Sequence, residues 1–264
     1  MRIYIGILVL SLVAFGCTKK KKETAEFLQK GNIKLVKPRI EVSNTIIDSF
    51  VTLTSKTNMD NSTIHYQKNS KSVLQSSTKI TDTIFAKKAD TYNFRAFHPD
   101  WQSSDLTTIK LYKKGIAPSK ITWKTSANKK YKGQGETTLT NNKKASLQFR
   151  DLEWIGFDSI AKATVSFPEK TYIKSLTIGY LVDTKSWIFP PESIMIVIDK
   201  KPFLTKTFHT LTSKDILKLD DIKIPIKKEC NTITIQVNNL QKLPNWHAGK
   251  GLKAWLFMDE WIFN

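Results

Sequence analysis

Apolar and polar residues alternate along short segments of the chain, and turn-forming residues separate these segments. The alternation is clearest in four runs, Val51-Thr-Leu53, Thr63-Ile-His-Tyr66, Thr83-Ile-Phe85 and Thr91-Tyr-Asn-Phe-Arg-Ala-Phe97. A period of two predicts half-buried strands, and the clusters of Asn, Asp, Ser and Lys between the runs predict turns. Residues 37–114 are therefore predicted to form a small β-sandwich of roughly immunoglobulin size.

Short apolar and aromatic runs continue over residues 115–264, which hold six of the seven tryptophans. Gly115 and Pro118 bracket the point at which the pattern and the aromatic content change, so a domain boundary is predicted there. Turn-forming residues again separate the runs, which favours an antiparallel β-sandwich. The predicted fold class is all-β, with two β-sandwiches in succession.

The chain begins with a cationic residue and an apolar run that ends at Gly16-Cys17. This arrangement predicts a secretory signal peptide over residues 1–16, too short to remain as a membrane span. Because Cys17 directly follows a small residue, the site resembles a bacterial lipobox, which implies a lipidated Cys17 and a basic linker over residues 17–36. The predicted location is the cell envelope, at the outer membrane, with lipid as the membrane attachment. An ordinary signal peptide with a chance cysteine is the alternative.

The formal net charge is +19, from 42 basic and 23 acidic residues. Such an excess favours anionic partners, including acidic polysaccharide or anionic lipid, although evenly spread lysines also suit a merely solvating role. Nucleic acid is not expected, because no recognition-helix pattern is present. With two cysteines in all, a disulfide framework is excluded, and Cys230 is predicted to be a buried thiol.

The aromatic motifs of the second half occur in a fixed order. They are Tyr131-Lys-Gly-Gln-Gly135, Trp154-Ile-Gly-Phe157, Trp187-Ile-Phe-Pro190 and Trp255-Leu-Phe-Met-Asp-Glu260. This order resembles the discoidin-type (F5/8 type C, galactose-binding-like) module found at the C-terminal end of Bacteroidetes β-N-acetylhexosaminidases. The resemblance implies a discoidin-type jelly roll over residues 115–264.

The first half carries a resemblance of its own, to the chitobiase/β-hexosaminidase C-terminal domain. It is carried by Ile64-His-Tyr66, Ser76-Ser-Thr-Lys79, Phe94-Arg-Ala96 and Trp101-Gln-Ser-Ser104. The turn after the tyrosine departs from the Asp-Gly-containing turn usual in that family, because Lys68-Asn-Ser70 stands there. The resemblance implies an immunoglobulin-like spacer domain over residues 37–114.

Discoidin modules commonly wrap a structural calcium ion in a loop that reads Leu-x-Asp-Gly, helped by a glutamate on the last strand. Here Asn141 and Asn142 stand at the aspartate and glycine positions, and Glu260 is the C-terminal glutamate. Calcium prefers six to eight oxygen ligands, largely carboxylates and carbonyls. The resemblance thus implies a possible calcium site at Asn141 and Glu260, while the loss of charge favours a hydrogen-bonded loop without metal.

Hexosaminidases cleave glycosidic bonds with an adjacent Asp-Glu pair in a barrel domain, so the pair Asp259-Glu260 invites comparison. It lies in a predicted strand, where successive side chains point to opposite faces and would not converge on one substrate. The barrel takes about 250 residues, for which two sandwiches leave no room. No Ser-His-Asp or Cys-His motif is recognisable either. The chain is therefore predicted not to be an enzyme.

Carbohydrate binding is the predicted function, because sugar rings stack on aromatic planes and loops at one end of a sandwich can vary freely. The candidate ligand contacts are Trp246, His247, Lys250, Trp187, Trp154 and Asp158. Trp246 and His247 lie in a loop between Pro244 and Gly249 and are the preferred pair. The alternatives are core packing of these tryptophans, a protein–protein adhesion or assembly role, and an accessory role beside a β-N-acetylhexosaminidase.

Overall fold

The computed structural model describes residues 31, 33–56, 59–209, 211–212 and 214–264. The predicted signal peptide, residues 1–16, and the predicted lipidation site Cys17 lie outside the described residues, as does most of the predicted linker over residues 17–36. The described part of the chain is built from β-strands and two short 3-10 turns, which confirms the predicted all-β fold class. It contains no helix with the length and apolar character of a membrane span.

Within the described residues, nine strands lie between residues 39 and 113. They are β1 (Arg39–Val42), β2 (Ile46–Ile47), β3 (Val51–Lys56), β4 (Thr63–Lys68), β5 (Thr78–Lys79), β6 (Ile84–Ala86), β7 (Thr91–Phe97), β8 (Thr107–Lys110) and β9 (Tyr112–Lys113). One sheet has the order β1-β3-β6 and the other β5-β4-β7-β8, while β2 and β9 form a short parallel pair. The two antiparallel sheets make a small sandwich, called the first domain below.

The core of the first domain forms because each inner strand places alternate apolar side chains between the two sheets. Leu53 on β3 and Phe94 on β7 are fully buried, and Tyr92 stacks beside Phe94 with ring centroids 6.2 Å apart. Leu35 also belongs to this core, with 7% of its surface exposed. The packed part of the first domain therefore includes a residue that precedes β1.

In the described part of residues 115–264, seven strands form the second domain. They are β10 (Lys120–Trp123), β11 (Ile155–Phe157), β12 (Ala161–Asp183), β13 (Ser193–Ile198), β14 (Lys201–Thr207), β15 (Leu217–Asn238) and β16 (Leu256–Phe263). The hydrogen-bonded order is β11-β16-β12-β15-β13-β14, and β10 pairs with β12. No strand of the described residues pairs across the two domains.

Two long strands, β12 and β15, belong to both layers of the second domain. The first part of β12 pairs with β10, its last part pairs with β16, and register shifts lie between Ser166 and Thr171 and between Ile173 and Ser175. Such bulges bend a strand, so one strand can pass from one layer into the other. The layers meet at Trp123 and Trp261, whose ring centroids are 5.9 Å apart. Cys230 is fully buried in this core, as predicted.

Three loops leave the second domain at the same end. Ser193, the first residue of β13, pairs with Asn238 on one side and with Thr207 on the other. The loop before β13, the loop after β14 and the loop after β15 therefore start or finish side by side. This end of the sandwich, called the loop end, comprises residues 184–192, 208–209, 211–212, 214–216 and 239–255.

The two domains are joined by direct contacts as well as by the connecting chain. The N–H of Ile116 donates to the carbonyl oxygen of Phe263 at 2.6 Å, and the hydroxyl of Tyr112 donates to Oδ1 of Asp221 at 2.9 Å. A Cβ at Gly115 would lie 2.8 Å from the Phe263 oxygen, so the connection can pass this close to β16 because position 115 has no side chain.

Candidate functional site

A cavity of about 270 Å³ opens at the loop end of the second domain. It is called the tryptophan cavity below, and its lining residues are Thr184, Lys185, Trp187, Lys214, Asp215, Trp246, His247 and Ala248. All three loops of this end contribute to it. The structure thus brings together three of the residues predicted to contact ligand, Trp187, Trp246 and His247.

Trp187 forms one wall of the cavity because the backbone turns sharply there. It follows the 3-10 turn Thr184–Ser186 and has a φ of 66°, in the left-handed region that non-glycine residues seldom occupy. Its indole lies over Gly249, where a Cβ would come within 2.5 Å of the ring. The indole keeps this position because Gly249 has no side chain, and a strained residue of this kind is a candidate for a functional role.

His247 anchors the cavity rather than offering a free edge to a ligand. Its Nε2 lies 2.7 Å from the carbonyl oxygen of Thr184, and its Nδ1 accepts the N–H of Gly249 at 3.0 Å. These partners assign the proton of a neutral ring to Nε2. The residue is 9% exposed and ties two loops together, so it acts as a support of the cavity, and its direct contact with a ligand stays a prediction.

Trp246 lies beside His247 and is partly exposed. Its Nε1 donates to the carbonyl oxygen of Leu211 at 3.3 Å, and its ring packs against buried Phe189 at a centroid distance of 5.9 Å. One end of the indole is thus fixed while the rest borders the cavity. An aromatic surface held in this way is suited to stacking against a flat ligand face.

The rim of the cavity carries charges that the sequence did not single out. Lys185 and Asp215 face each other with a separation of 3.6 Å, and their side chains are 73% and 71% exposed. An ion pair this exposed contributes little to stability, so both groups remain available to a polar ligand. Lys214 lies beside Asp215 in the same rim. In the sequence, these charges follow β12 and precede β15, which gives no sign that they are close in space. They meet because Ser193 pairs with both Thr207 and Asn238, which places the loops side by side.

The other three predicted contacts lie away from the tryptophan cavity. Trp154 is 2% exposed and its Nε1 donates to the carbonyl oxygen of Ser146 at 2.9 Å, which agrees with core packing, the alternative given above, while its ligand contact stays a prediction. Asp158 is exposed but accepts a hydrogen bond from Asn128 at 2.8 Å, on a different loop. Lys250 is exposed and does not line the cavity.

The loop predicted to hold calcium turns hydrogen-bond donors toward the carboxylates. The N–H of Asn142 donates to Oε1 of Glu260 at 3.1 Å, and the side-chain oxygen of Asn141 accepts the N–H of Lys143 at 3.0 Å. Asn142 has a φ of 61°, which explains how the loop forms without the usual glycine, since asparagine tolerates this region best among side-chain-bearing residues.

The positive charge in this loop is supplied by a side chain, the ammonium of Lys144. The ammonium of Lys144 lies 2.5 Å from Oδ1 of Asp259, with the two side chains 8% and 1% exposed. Calcium would need several oxygens converging on one point, whereas here N–H groups and an ammonium converge on the oxygens. Within the described residues, no group of three or more His, Cys, Asp or Glu side chains is placed to hold a metal ion. The residues of this loop do not fit calcium.

Asp259 and Glu260 are both buried, with 1% and 2% exposure, and neither borders the tryptophan cavity. Burial raises the pKa of Glu260 to about 8, against the opposing effect of the Asn142 N–H. Burial also raises the pKa of Asp259, and the Lys144 ammonium opposes that rise. Both carboxyl groups are buried and held by donors of the protein, Asp259 by Lys144 and Ala145 and Glu260 by Asn142, which is typical of structural groups.

No protein-family model matches the chain, and no curated protein matches it. Solved structures that the chain partly resembles include CpGH89CBM32-4 of Clostridium perfringens in complex with GlcNAc-alpha-1,4-galactose, at 14% identity, a TM-score of 0.34, and coverage of 56% of this chain and 91% of that one. A mutant lectin-binding domain of Lectinolysin complexed with Lewis b has 10% identity, a TM-score of 0.35, and coverage of 57% and 94%.

A further similar structure is reduced XRCC1 bound to the catalytic domain of DNA pol beta, at 9% identity, a TM-score of 0.32, and coverage of 57% of this chain and 96% of that one. Likenesses at these TM-scores carry no functional argument, so the function is inferred from the residues of the site.

Proposed function

We propose that the protein is a non-catalytic carbohydrate-binding protein and that the tryptophan cavity takes a sugar. The observation that carries the proposal is the convergence of Trp187 and Trp246, from two separate loops, on one cavity that His247 braces. Sugar rings have apolar faces for aromatic planes and hydroxyls for a few fixed polar groups. The rim of Lys185, Lys214 and Asp215 supplies such groups.

The size of the cavity defines the ligand further. Its volume of about 270 Å³ lies just below the usual range for small-molecule pockets, about 300–1,000 Å³. We infer that it accepts a terminal sugar residue of a glycan, with the remaining chain in solvent. No step of bond cleavage is assigned to the site, because its single carboxylate, on Asp215, has no second carboxylate facing it among the lining residues.

A glycan array probed with the purified protein tests this proposal. We expect binding to a group of glycans that share one terminal sugar, and about a 10-fold or greater loss of affinity in Trp246→Ala, since stacking and area burial by one indole reach that size. Tyr172→Ala is the matched control, because Tyr172 is 54% exposed and does not line the cavity. Absence of signal for every glycan, or an equal loss in both variants, would reject the proposal.

We further propose that the protein is held at the cell envelope, at the outer membrane, by lipid on Cys17. The support is the apolar run ending in Gly16-Cys17, followed by Lys19-Lys-Lys-Lys22, four charges that could each gain about 1 kcal/mol beside anionic headgroups. In detergent phase partition, the wild type is expected in the detergent-rich phase and Cys17→Ser in the aqueous phase. Identical partition of the two proteins would reject the anchor.

A further inference from the structure

A second concave surface, a groove of about 530 Å³, lies where the two domains meet. Residues 110–116 of the first domain and the connecting chain form one wall. Residues of β12, β15 and β16 form the other, among them Lys174, Lys223 and Phe263. The groove shares no lining residue with the tryptophan cavity. It is called the interdomain groove below.

The interdomain groove is strongly basic. Five of its sixteen lining residues are lysines, about twice the proportion of Lys and Arg in the whole chain, which is 42 of 264. All five are exposed, and they are Lys110, Lys113, Lys114, Lys174 and Lys223. This concentration separates the groove from the even spread of lysine elsewhere, for which solvation is a sufficient explanation.

Among the described residues, three of these ammonium groups have no acidic partner. Asp221 is the one acidic side chain among the lining residues, and it is already occupied by Lys110 at 2.7 Å and by the hydroxyl of Tyr112. Lys114 lies 3.0 Å from Asp48, with both side chains largely exposed. Within the part of the chain that the structure describes, Lys113, Lys174 and Lys223 form no ion pair.

The lysines come from both domains, so their spacing depends on how the domains are held. The hydrogen bond from Ile116 to Phe263 and the contacts of Tyr112 and Lys110 with Asp221 cross the interface. The ammonium of Lys144 also lies over the Tyr112 ring, 5.3 Å from its centroid. These contacts preorganise the charged walls, which lowers the cost of binding a ligand that touches both.

We propose that the interdomain groove binds an acidic polysaccharide, through carboxylate or sulfate groups that pair with Lys113, Lys174 and Lys223. Single-stranded nucleic acid fits less well, because no arginine lines the groove and its half-buried Tyr112 ring already lies beneath the ammonium groups of Lys110 and Lys144, whereas base stacking requires an open ring. A flat bilayer surface could not follow a concave groove. This inference concerns a second site and stands whether or not the tryptophan cavity takes a sugar.

The test compares two triple variants of equal charge. Lys113→Gln/Lys174→Gln/Lys223→Gln alters the groove, while Lys71→Gln/Lys79→Gln/Lys201→Gln removes three exposed lysines that do not line it. Titration calorimetry with a polygalacturonate tetramer, a heparin tetrasaccharide and neutral chitotetraose is carried out at about 50 mM salt, where exposed charges are weakly screened. The two acidic probes separate carboxylate from sulfate recognition.

We expect the groove variant to bind at least one acidic probe about 10-fold more weakly than wild type, as three exposed ion pairs would give, and the control variant to change by less than about 2-fold. Trp246→Ala should bind the acidic probes like wild type. Equal losses in the two triple variants would overturn the proposal, because they would show general attraction to a basic protein. Loss of acidic binding in Trp246→Ala, or tighter binding of a thymidine oligonucleotide with the same dependence on the groove lysines, would overturn it as well.

Discussion

The ammonium of Lys144 and the carboxylate of Asp259, 115 positions apart in the chain, form an ion pair buried beneath a loop of the second domain. The loop is fastened to β16 by this pair and by the N–H of Ala145, which donates to Oδ2 of Asp259 at 3.1 Å. A buried pair is not a strong net stabiliser by itself, but removing one member leaves an uncompensated charge. The loop is therefore sensitive to loss of either partner.

Lys144→Ala should lower the free energy of unfolding by about 3–5 kcal/mol, because the Asp259 carboxylate would remain buried without its partner. Urea denaturation followed by tryptophan fluorescence measures the change. The double variant Lys144→Met/Asp259→Asn should recover part of the loss, since it removes both charges. A loss below about 1 kcal/mol in Lys144→Ala would contradict the description of this pair.

Gly179→Ala tests the space that the ion pair occupies. A Cβ at position 179 would lie 1.8 Å from the Lys144 nitrogen and 2.0 Å from Oδ1 of Asp259, so the pair would have to separate. We expect a destabilisation of at least about 3 kcal/mol, combining overpacking with a broken pair. In a Lys144→Ala background the same substitution should cost less, because the clash with Lys144 is gone and only the clash with Asp259 remains. Strict additivity would argue against this contact.

Glu260 should make the fold less stable as the pH rises. Its pKa is about 8 in the folded protein against an ordinary value of 4.5, so between these values the folded state holds a proton that the unfolded chain has released. The favourable contribution is complete below pH 4.5 and is lost as the pH rises through about 8. Glu260→Gln removes this dependence and should exceed wild type by a few kcal/mol at pH 9 but not at pH 4. A constant difference at all pH values would contradict the elevated pKa.

Calcium should not stabilise the protein. The 141–145 loop directs N–H groups and the Lys144 ammonium toward Asp259 and Glu260, so an added cation meets repulsion instead of ligands. Thermal unfolding in about 5 mM calcium and in excess chelator should give midpoints that agree within about 1 °C, well below the shift that saturating a structural site produces. A rise of several degrees with calcium would show that the loop rearranges to accept the ion.

Gly249→Ala should weaken sugar binding without removing any polar group from the tryptophan cavity. The new methyl would displace the Trp187 indole, from which a Cβ at this position is only 2.5 Å away. Affinity for the best ligand of the glycan array should fall by about 10-fold, the effect of losing one well-placed aromatic contact. Lys250→Ala, at the neighbouring position, should leave affinity unchanged because Lys250 does not line the cavity. The reverse order of effects would favour the sequence-based choice of Lys250.

The sequence could predict the features that depend on neighbouring residues. Alternation over Thr91–Phe97 predicts β7, and Pro244 and Gly249 correctly place Trp246 in a loop. The burial of Trp154 could not be predicted in the same way. A tryptophan that follows an acidic turn has the same local sequence whether it lies in an exposed loop or at the start of a core strand. The pairing that buries it, between Ile155 and Met258, spans about a hundred residues.

The ion pair of Lys144 lay beyond sequence analysis for the same physical reason. Lysine is abundant in this chain, and nothing local distinguishes the one whose side chain is buried from those that are solvated. The alternation argument predicted that Asp259 and Glu260 would not converge on one substrate, but it could not predict that a single loop, residues 142–145, contacts both carboxyl groups. The long strands β12 and β15 also depend on bulges that periodicity cannot locate.

Since β12 and β15 belong to both layers of the second domain, neither layer can stay folded when the other unfolds. Melting of β12 alone would take a partner from β10, β15 and β16 at once, so this half of the molecule should come apart in one all-or-none step. The loop end is therefore expected to keep its conformation until the whole second domain unfolds.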